Sequence, residues 1–389
     1  MVDLPLDKVD CWRYLIIMAP AIYSTIVEKL QGRRQSILEP MRLPIERELA
    51  KDLNVGRDTV RRALSELEKR GAVTRRRGKG TFLQPVKVLP NGSLKGANVG
   101  FIPPWWADST SSWFTSTVFE GVARWADEHK CNISVLHADR NSHDAELWMK
   151  RVEERDIAGV VWVHPDVEQL PLMEHTARLV HSVVLGRSYP NSGLHHVIPD
   201  YNQVVELIDS YLVSKGHREY SVIGAGMLAA YSQNWLKALQ SVAQARGSEF
   251  DIKQHFIDIK PFVREKLAQL LLEFYEPGHP QVHAFVLASS SYLLPLIADE
   301  TFRRRMTEDI SIVTFDYGLY PMETYWPGHA ITHVTCDWPR IGRKAMDILD
   351  MLAAGRDVPE VTLEPVGFAE GDTVRPCQAV TAVGQGSNS

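Results

Sequence analysis

Apolar positions follow a helical period between Leu43 and Phe82. Ile45, Leu49 and Leu53 recur every four residues, and Val60, Ala63, Leu64 and Leu67 fall at i, i+3, i+4 and i+7, so each set lines one helical face. Pro44 suits the start of the first helix, because the N–H it lacks has no intrahelical partner there. Asn54–Val55–Gly56 interrupts the pattern, and Gly71 ends the second helix as a C-cap. Two short helices joined by a tight turn predict a helix-turn-helix. After it, Val73–Thr74–Arg75–Arg76–Arg77, then Gly78–Lys79–Gly80, then Thr81–Phe82–Leu83 read as strand, glycine tip and strand, a small basic wing.

The period then changes. Gln84 to Gly96 holds two prolines and two glycines and reads as a linker. Short apolar runs follow at Val99–Ile102, Ile133–Leu136, Gly159–Val163, Ser182–Leu185, Tyr220–Ile223, Ala284–Leu287 and Ile310–Thr314. Helical faces lie between most of them, including Val118, Phe119, Val122, Ala123 and Ala126; Val204, Val205, Ile208, Tyr211 and Leu212; and Ile341, Ala345, Ile348 and Leu352. Strands alternating with helices predict an α/β fold with parallel sheets covered on both faces. The expected domains are a winged helix-turn-helix with an N-terminal extension over 1–83, a linker over 84–96, a body over 97–376 and a fraying tail over 377–389.

Composition narrows the class. The chain has 389 residues, of which 44% are hydrophobic and 23% charged, enough for two to three domains of roughly 150 residues each. The apolar stretch Tyr14–Val27 is broken by Pro20 and falls short of the ~18 apolar residues of a membrane span. Asp3, Asp7 and Asp10 stand where a secretory leader carries basic residues, so a cytoplasmic protein is expected. Cys11, Cys131, Cys336 and Cys377 are far apart, which excludes a zinc ribbon or a disulfide framework and predicts free thiols.

Charge separates the ends. Residues 1–86 hold 17 Lys and Arg against 11 Asp and Glu, a balance of +6; the remainder holds 26 against 37, a balance of -11. A basic head on an acidic body predicts that the head meets a polyanion. Arg57 and Arg61 lie four apart and share a helical face with Asp58 and Arg62 adjoining. Arg57, Asp58 and Thr59 occupy the N-terminal end, which a recognition helix points at base edges. The glycines of the wing permit close approach to a phosphate backbone or a narrow groove, and Arg75, Arg76, Arg77 and Lys79 are expected to meet phosphates there.

The head, from Ile22 through Leu83, resembles the DNA-binding domain of the GntR family of bacterial transcription regulators. The resemblance is carried by LPIERELA at Leu43, GRDTVRRAL at Gly56, and GKGTF at Gly78, against the family's LPSERELA, SRxTVRxAL and GxGTF. It implies DNA contacts from Arg47, Arg57, Asp58, Thr59, Arg61, Arg77 and Gly78. Ile45 stands where the family has serine, which removes an N-cap and the partner of Glu48 in a capping box, a loss of ~0.5–2 kcal/mol. Gly56 replaces a second serine at a milder cost.

The body resembles the effector domain of the lactose/galactose repressor family, which shares the periplasmic sugar-binding fold. The segments are VGFIPP at Val99, IAGVVWV at Ile157, VIPDYNQVVELIDSYLVSKGHREYSVIG at Val197, ISIVTFDYG at Ile310 and ITHVTCDWPRIGRKAMDILDMLAAG at Ile331. The resemblance implies two lobes, three crossovers near His217, His333 and Ala354, and a ligand in the cleft. It matches Asp200 and Asp316 to pocket acids, which accept sugar hydroxyls, and Trp338 to a stacking aromatic. Tyr231 stands in place of a ligand-gripping arginine, Ser289 and Ser290 in place of an Asn–Asp pair, and Cys336 in place of a glutamine. Trp105 and Trp106 follow the first strand, either lining the mouth or doing loop duty, and Asp200 is equally placed to cap the helix after it.

Gly224–Ala–Gly226–Met–Leu–Ala229 mimics the GxGxxA of dinucleotide-binding folds, which leaves an NAD(H)-sensing body as an alternative. A body serving only as a dimerisation platform is another. HExxH, GxSxG and Walker loops are absent, and His195–His196 would face opposite sides of a strand, so neither a catalytic residue, a metal site nor a cofactor is expected. The resulting expectation is a one-component regulator, a repressor more readily than an activator. Its expected partners are a double-stranded DNA operator and a small polar effector, a saccharide first; it is expected to act as a homodimer away from membranes.

Overall fold

The computed structural model describes residues 41–69, 73–83, 92–104, 112–138, 145–177, 179–189, 192–224, 230–247, 255–259, 266–274, 284–315 and 326–377. The head begins with β1 (Met41–Arg42), α1 (Glu46–Asp52) and α2 (Arg57–Lys69), followed by β2 (Val73–Arg76) and β3 (Gly80–Leu83). Its core is Leu43, Leu49, Val60, Ala63, Leu64, Leu67, Val73 and Leu83: the whole expected face of the second helix and one residue from each of two wing strands, but only Leu49 of the face expected for the first helix, since Leu53 is half-buried and Leu43, just ahead of the helix, takes the place expected of Ile45. Asn54, with φ 52°, makes the left-handed turn between the helices. Ile45 caps α1 without a side-chain hydrogen bond and is 55% exposed. The C-cap expected at Gly71 and the linker over 84–91 lie outside the described residues.

The chain divides into two compact units, and both α/β regions are built on six-stranded sheets. In the first unit the sheet order is β14-β8-β7-β6-β4-β5. Its strands are β4 (Asn98–Ile102), β5 (Asn132–Val135), β6 (Ile157–Val163), β7 (His181–Leu185), β8 (His195–Pro199) and β14 (Val361–Glu364). The helices are α3 (Ser112–His129), α4 (Ala145–Glu154), α5 (Leu170–Thr176) and α11 (Trp338–Ala353). β6 and β7 are buried at every position, as unbroken apolar runs in a parallel sheet must be.

In the second unit the order is β10-β9-β11-β12-β13-β15. The strands are β9 (Ser221–Gly224), β10 (Phe256–Asp258), β11 (Ala284–Leu287), β12 (Ser311–Phe315), β13 (Thr332–Cys336) and β15 (Val366–Ala369). The helices are α6 (Tyr201–Ser214), α7 (Ala230–Ala245), α8 (Leu267–Phe274), α9 (Leu293–Ala298) and α10 (Glu300–Glu308). Five of the six strands run parallel, and β15 pairs antiparallel with β13.

All seven strands expected from apolar runs are present, displaced by a residue or two at their ends. His195–Pro199, Phe256–Asp258, Thr332–Cys336, Val361–Glu364 and Val366–Ala369 are additional strands of the body; the last four are partly exposed, so they lack an unbroken apolar run. The crossovers are displaced from expectation. The chain passes between units at 197/198, 338/339 and 362/363, ahead of the expected His217 by a whole helix, because β8 still belongs to the first sheet and α6 starts immediately after it. The first residues of α3, 112–117, also group with the second unit.

Two features of the first unit are dictated by close packing. At Gly121 a Cβ would lie 1.8 Å from the Pro339 carbonyl oxygen, and at Gly342 it would lie 2.4 Å from the Val118 carbonyl oxygen. α3 and α11 therefore touch backbone to backbone. The Trp125 indole donates to Asp347 (2.7 Å), and Arg343 forks onto Glu128 at 2.8 and 2.5 Å, so two polar contacts pin the helix pair beyond the glycine contact.

His196 shows the second feature. It is fully buried, whereas His195 is half-buried, so the pair faces opposite sides of β8 as the alternation required. The Tyr189 N–H donates to its Nε2 (3.2 Å), leaving Nδ1–H for the Glu360 carbonyl (3.3 Å). Burial holds the imidazole neutral, with its pKa brought down to about 4.

Two outcomes follow from this packing. Gly121→Ala should destabilise the protein by ~1–3 kcal/mol or more through overpacking against main chain, read as a lowered urea midpoint at unchanged secondary structure. Since His196 is neutral in the fold but titrates near 6.5 when unfolded, the unfolded chain binds the extra proton as pH falls from about 6.5 towards 4. Stability therefore drops across that window, by ~3 kcal/mol in full from the pKa difference. Urea midpoints at pH 7 and pH 5 should show the drop, and His196→Gln should reduce it.

Candidate functional sites

The head presents its charge on α2. Arg57, Asp58 and Arg61 are exposed, with side chains 63%, 85% and 51% accessible, and Thr59 is half-buried. A carboxylate that sequence reasoning passed over organises them. Glu46, in the first turn of α1, places Oε2 3.3 Å from both Nε and Nη2 of Arg61 and 3.5 Å from Nε of Arg57. Asp58 lies 3.6 Å from the far nitrogen of Arg61. Each exposed pair is worth only ~0.2–1 kcal/mol, so the effect is orientation more than stability. Both guanidiniums are held side by side on the exposed face. Glu46 and Arg61 are 15 positions apart and meet only once the two helices dock. Arg47 is exposed on α1.

The wing is a three-stranded sheet in the order β1-β3-β2. Arg77, Gly78 and Lys79 form its exposed tip, where Gly78 takes φ +73° and open space surrounds the missing side chain. Arg75, one of the residues expected at phosphate, is paired within the head. Its backbone N–H donates to Glu68 (3.2 Å), and its guanidinium reaches Ser65 Oγ (3.3 Å) and Glu68 (3.4 Å). It lies on the same side of β2 as buried Val73, though exposed, and ties the wing to α2.

In the second unit the parallel strands end along one edge, and the segments after them carry the expected ligand residues. Ser289 and Ser290 follow β11, with Ser290 buried and opening a 3-10 turn. Trp338 follows β13, is 3% exposed, and packs edge-on against Phe114 at 4.6 Å between centroids. Asp200 is the N-cap of α6, accepting the N–H groups of Asn202 (3.0 Å) and Gln203 (3.2 Å); the capping duty weighed from the sequence is the one its Oδ1 performs. Tyr231 is in the first turn of α7, with its side chain outside the described residues. Trp105, Trp106 and Asp316 also lie outside them. Beneath the edge is an aromatic triangle that sequence reasoning did not assemble: Tyr201, Trp235 and Phe315, with centroids 5.8–6.1 Å apart. Each sits in a different element, so no sequence period links them.

The first unit has a comparable edge. His164, with φ 44°, and Asp166 follow β6, while Gly186, Arg187 and Tyr189 follow β7. Arg187 pairs with Asp166 and also donates to the Pro165 carbonyl (2.9 Å), which accepts the Tyr189 hydroxyl as well. A Cβ on Gly186 would overlap the His164 ring. This charged pair is nearly buried, at 12% and 17% side-chain exposure, and it was not legible because its partners are on separate strands.

Gly224 ends β9, and Asp258 stands opposite it in the parallel pair with β10. The glycine has a packing cause: a Cβ would lie 2.8 Å from the Phe256 ring. Gly226 and Ala229 lie outside the described residues. Among the described residues, no group of three or more His, Cys, Asp or Glu could hold a metal ion, and no helix is long and apolar enough to cross a membrane.

Residues 21–83 match the family model of bacterial regulatory proteins, gntR family, and residues 210–374 match that of the periplasmic binding protein-like domain. The chain is 24% identical over 344 residues to the arabinose metabolism transcriptional repressor of Geobacillus stearothermophilus, covering 82% of this chain and 87% of that protein. Its counterpart in Halalkalibacterium halodurans is 27% identical over 148 residues, 36% of this chain and 38% of that protein. The HTH-type transcriptional repressor NagR of Bacillus subtilis is 42% identical over 69 residues, 17% of this chain and 28% of that one. Thus the chain spans most of one relative and well under half of the other two. Among solved structures, the transcription regulator CcpA of Lactococcus lactis matches with a TM-score of 0.60 at 17% identity, covering 72% of this chain and 99% of that one. The transcriptional regulator CelR–cellobiose complex matches with a TM-score of 0.59 at 17% identity, covering 85% and 100%. Likeness at this identity establishes the fold of the body.

On a cognate duplex, Arg61→Ala should cost ~1–3 kcal/mol of specific binding if its guanidinium reads a base. Glu46→Gln should blur the preference for the base pairs Arg57 and Arg61 face, measured by selection from a randomised duplex. Arg75→Gln should lower the melting temperature and leave the salt dependence of binding unchanged.

Proposed function

We propose that this chain, a GntR-type helix-turn-helix domain joined to a periplasmic-binding-protein-like domain, is a ligand-responsive transcriptional repressor whose effector is a sugar. The carrying observation is the paired exposure of Arg57 and Arg61 on α2, oriented by Glu46 beside a basic wing. Such a face meets the two needs of operator binding: guanidinium forks for guanine edges and cations for phosphate. The relative with the widest coverage is named as a repressor of arabinose metabolism, and the CelR neighbour was solved with cellobiose; both support a saccharide for the body.

The effector site of this reading lies at the C-terminal edge of the parallel strands, where open α/β sheets bind ligands. It uses Asp316, Tyr231, Ser289, Ser290 and Trp338. Tyr231, in place of an arginine, favours a neutral sugar over a phosphorylated one. Asp200 contributes by fixing the start of α6. The protein works as a cytoplasmic homodimer on a palindromic operator, since one small head covers too short a site, and no catalysis is assigned to it. Ligand and operator are coupled by differential affinity for two arrangements of the body, typically ~1–3 kcal/mol and reciprocal.

A thermal-shift panel of mono- and oligosaccharides, with arabinose, cellobiose and NAD(H) among them, tests the reading. A neutral sugar should raise the melting temperature and change operator affinity. Asp316→Ala should lose that response and keep ligand-free DNA binding. A response to NAD(H) alone would replace the sugar with a dinucleotide. If no compound shifted either quantity, the body would be a dimerisation platform.

A further inference from the structure

The outward face of the wing sheet carries charge that neither the recognition helix nor the wing tip accounts for. Met41, Leu83 and Val73 are register partners across β1, β3 and β2, and Leu83 and Val73 are buried, so this is the core side. Alternation along the strands puts Arg42, its partner Phe82, and Thr74 on the opposite side, with Arg76 facing Gly80. Arg42 and Arg76 are both exposed.

Their guanidiniums are held by neighbours of no charge. That of Arg76 lies 4.9 Å from the centroid of the Phe82 ring. That of Arg42 fills the space over Gly80, where a Cβ would come within 3.1 Å of Nε. Gly80 is thus glycine for two reasons, its φ of +106° and the room it leaves for Arg42. Arg75, alternating with Arg76, is committed to Glu68 on the other side. Among the described residues neither Arg42 nor Arg76 has an ion-pair partner.

Two like charges on one small rigid sheet, without a carboxylate between them, repel each other until an anion arrives. Arginine suits a repeating phosphate, since its planar fork matches two oxygens and it is weakly hydrated. We propose that Arg42 joins Arg76, already expected at phosphate from the basic run of the wing, and that the two, flanking Phe82, form a phosphate clamp on the wing sheet, with β1 as well as the wing tip gripping the duplex backbone. This rests on the DNA-binding reading above and adds a strand to the interface that lies ahead of the helix-turn-helix.

The test uses the full-length protein and a duplex it selects from a random-sequence library, with affinity followed across salt concentrations. Each phosphate contact removed should flatten the log–log salt slope by about 0.9. Arg42→Gln should flatten it by that amount with the selected sequence unchanged, Arg42→Gln/Arg76→Gln by about twice as much, and Arg42→Lys should keep the parental slope. Melting curves matching the parent's would show that the glutamine variants are folded; should Arg42→Gln fold poorly, Arg42→Met, which keeps the aliphatic stem over Gly80, takes its place, with the same flattening expected and the parental slope overturning the clamp. A folded Arg42→Gln protein with the parental slope would overturn the clamp while leaving the DNA reading intact. Failure of the parent to select any duplex would remove that reading, and the clamp with it.

Discussion

The first α/β unit depends on a contact that leaves no room for a side chain. Residues 98–197 supply five strands of its sheet, but the helix that closes over them comes from residues 338–353, far along the chain. α11 can close it only because Gly121 and Gly342 let two backbones meet, each glycine against the carbonyl of the other helix. Two polar contacts follow it along the helix pair, Trp125 on Asp347 and Arg343 on Glu128. Small residues allow the approach, and the hydrogen bonds then fix its register. The same passage of chain continues into β14, so one non-local packing event completes both the helical cover and the sheet edge.

The head follows a different logic. Eight buried apolar residues make its core, and few contacts support it, so its stability margin is slim by the scaling of surface to volume. Ile45 widens that weakness, since α1 starts without a side-chain cap. Compensation comes from electrostatics around α2. Glu46 sits where an acid favours the N-terminus of α1 and restrains two arginines; Glu68 and Ser65 restrain Arg75. These pairs are individually weak in water, but they sort the basic residues into those spent on structure and those left facing out. The three consecutive arginines of the wing illustrate this: strand alternation puts Arg75 on the side of Val73, Arg76 on the opposite side, and leaves Arg77 at the tip.

Charge in the body is handled by burial. Asp166 and Arg187 neutralise one another at the ends of β6 and β7, and Asp209 in α6 accepts from both Arg246 (2.8 Å) and Tyr220 (3.1 Å). A lone member of either set would be costly in so dry a place. His196 takes the other route and stays neutral, with both ring nitrogens engaged.

Local periodicity determined a great deal here. It gave the helix pair of the head, the wing, and seven strands of the body, because a helix face repeats every 3.6 residues and a strand in the middle of a parallel sheet must be apolar throughout; of the seven, the edge strand Asn132–Val135 is the one left largely exposed. Position along α2 was enough to mark Arg57 and Arg61 as exposed. The cap at Asp200 was legible too, as a short acid directly before a helical face. What the sequence left open were pairings between distant segments. Glu46 with Arg61, Arg75 with Glu68, Asp166 with Arg187, and the triangle of Tyr201, Trp235 and Phe315 have no period that announces them. The crossovers were misplaced for the same reason: which sheet a strand joins is settled by its neighbours. Short edge strands such as Val361–Glu364 escaped because an edge is half-solvated and loses the apolar signature. Periodicity records which way a side chain faces relative to its own backbone, and only the packed chain decides what it faces.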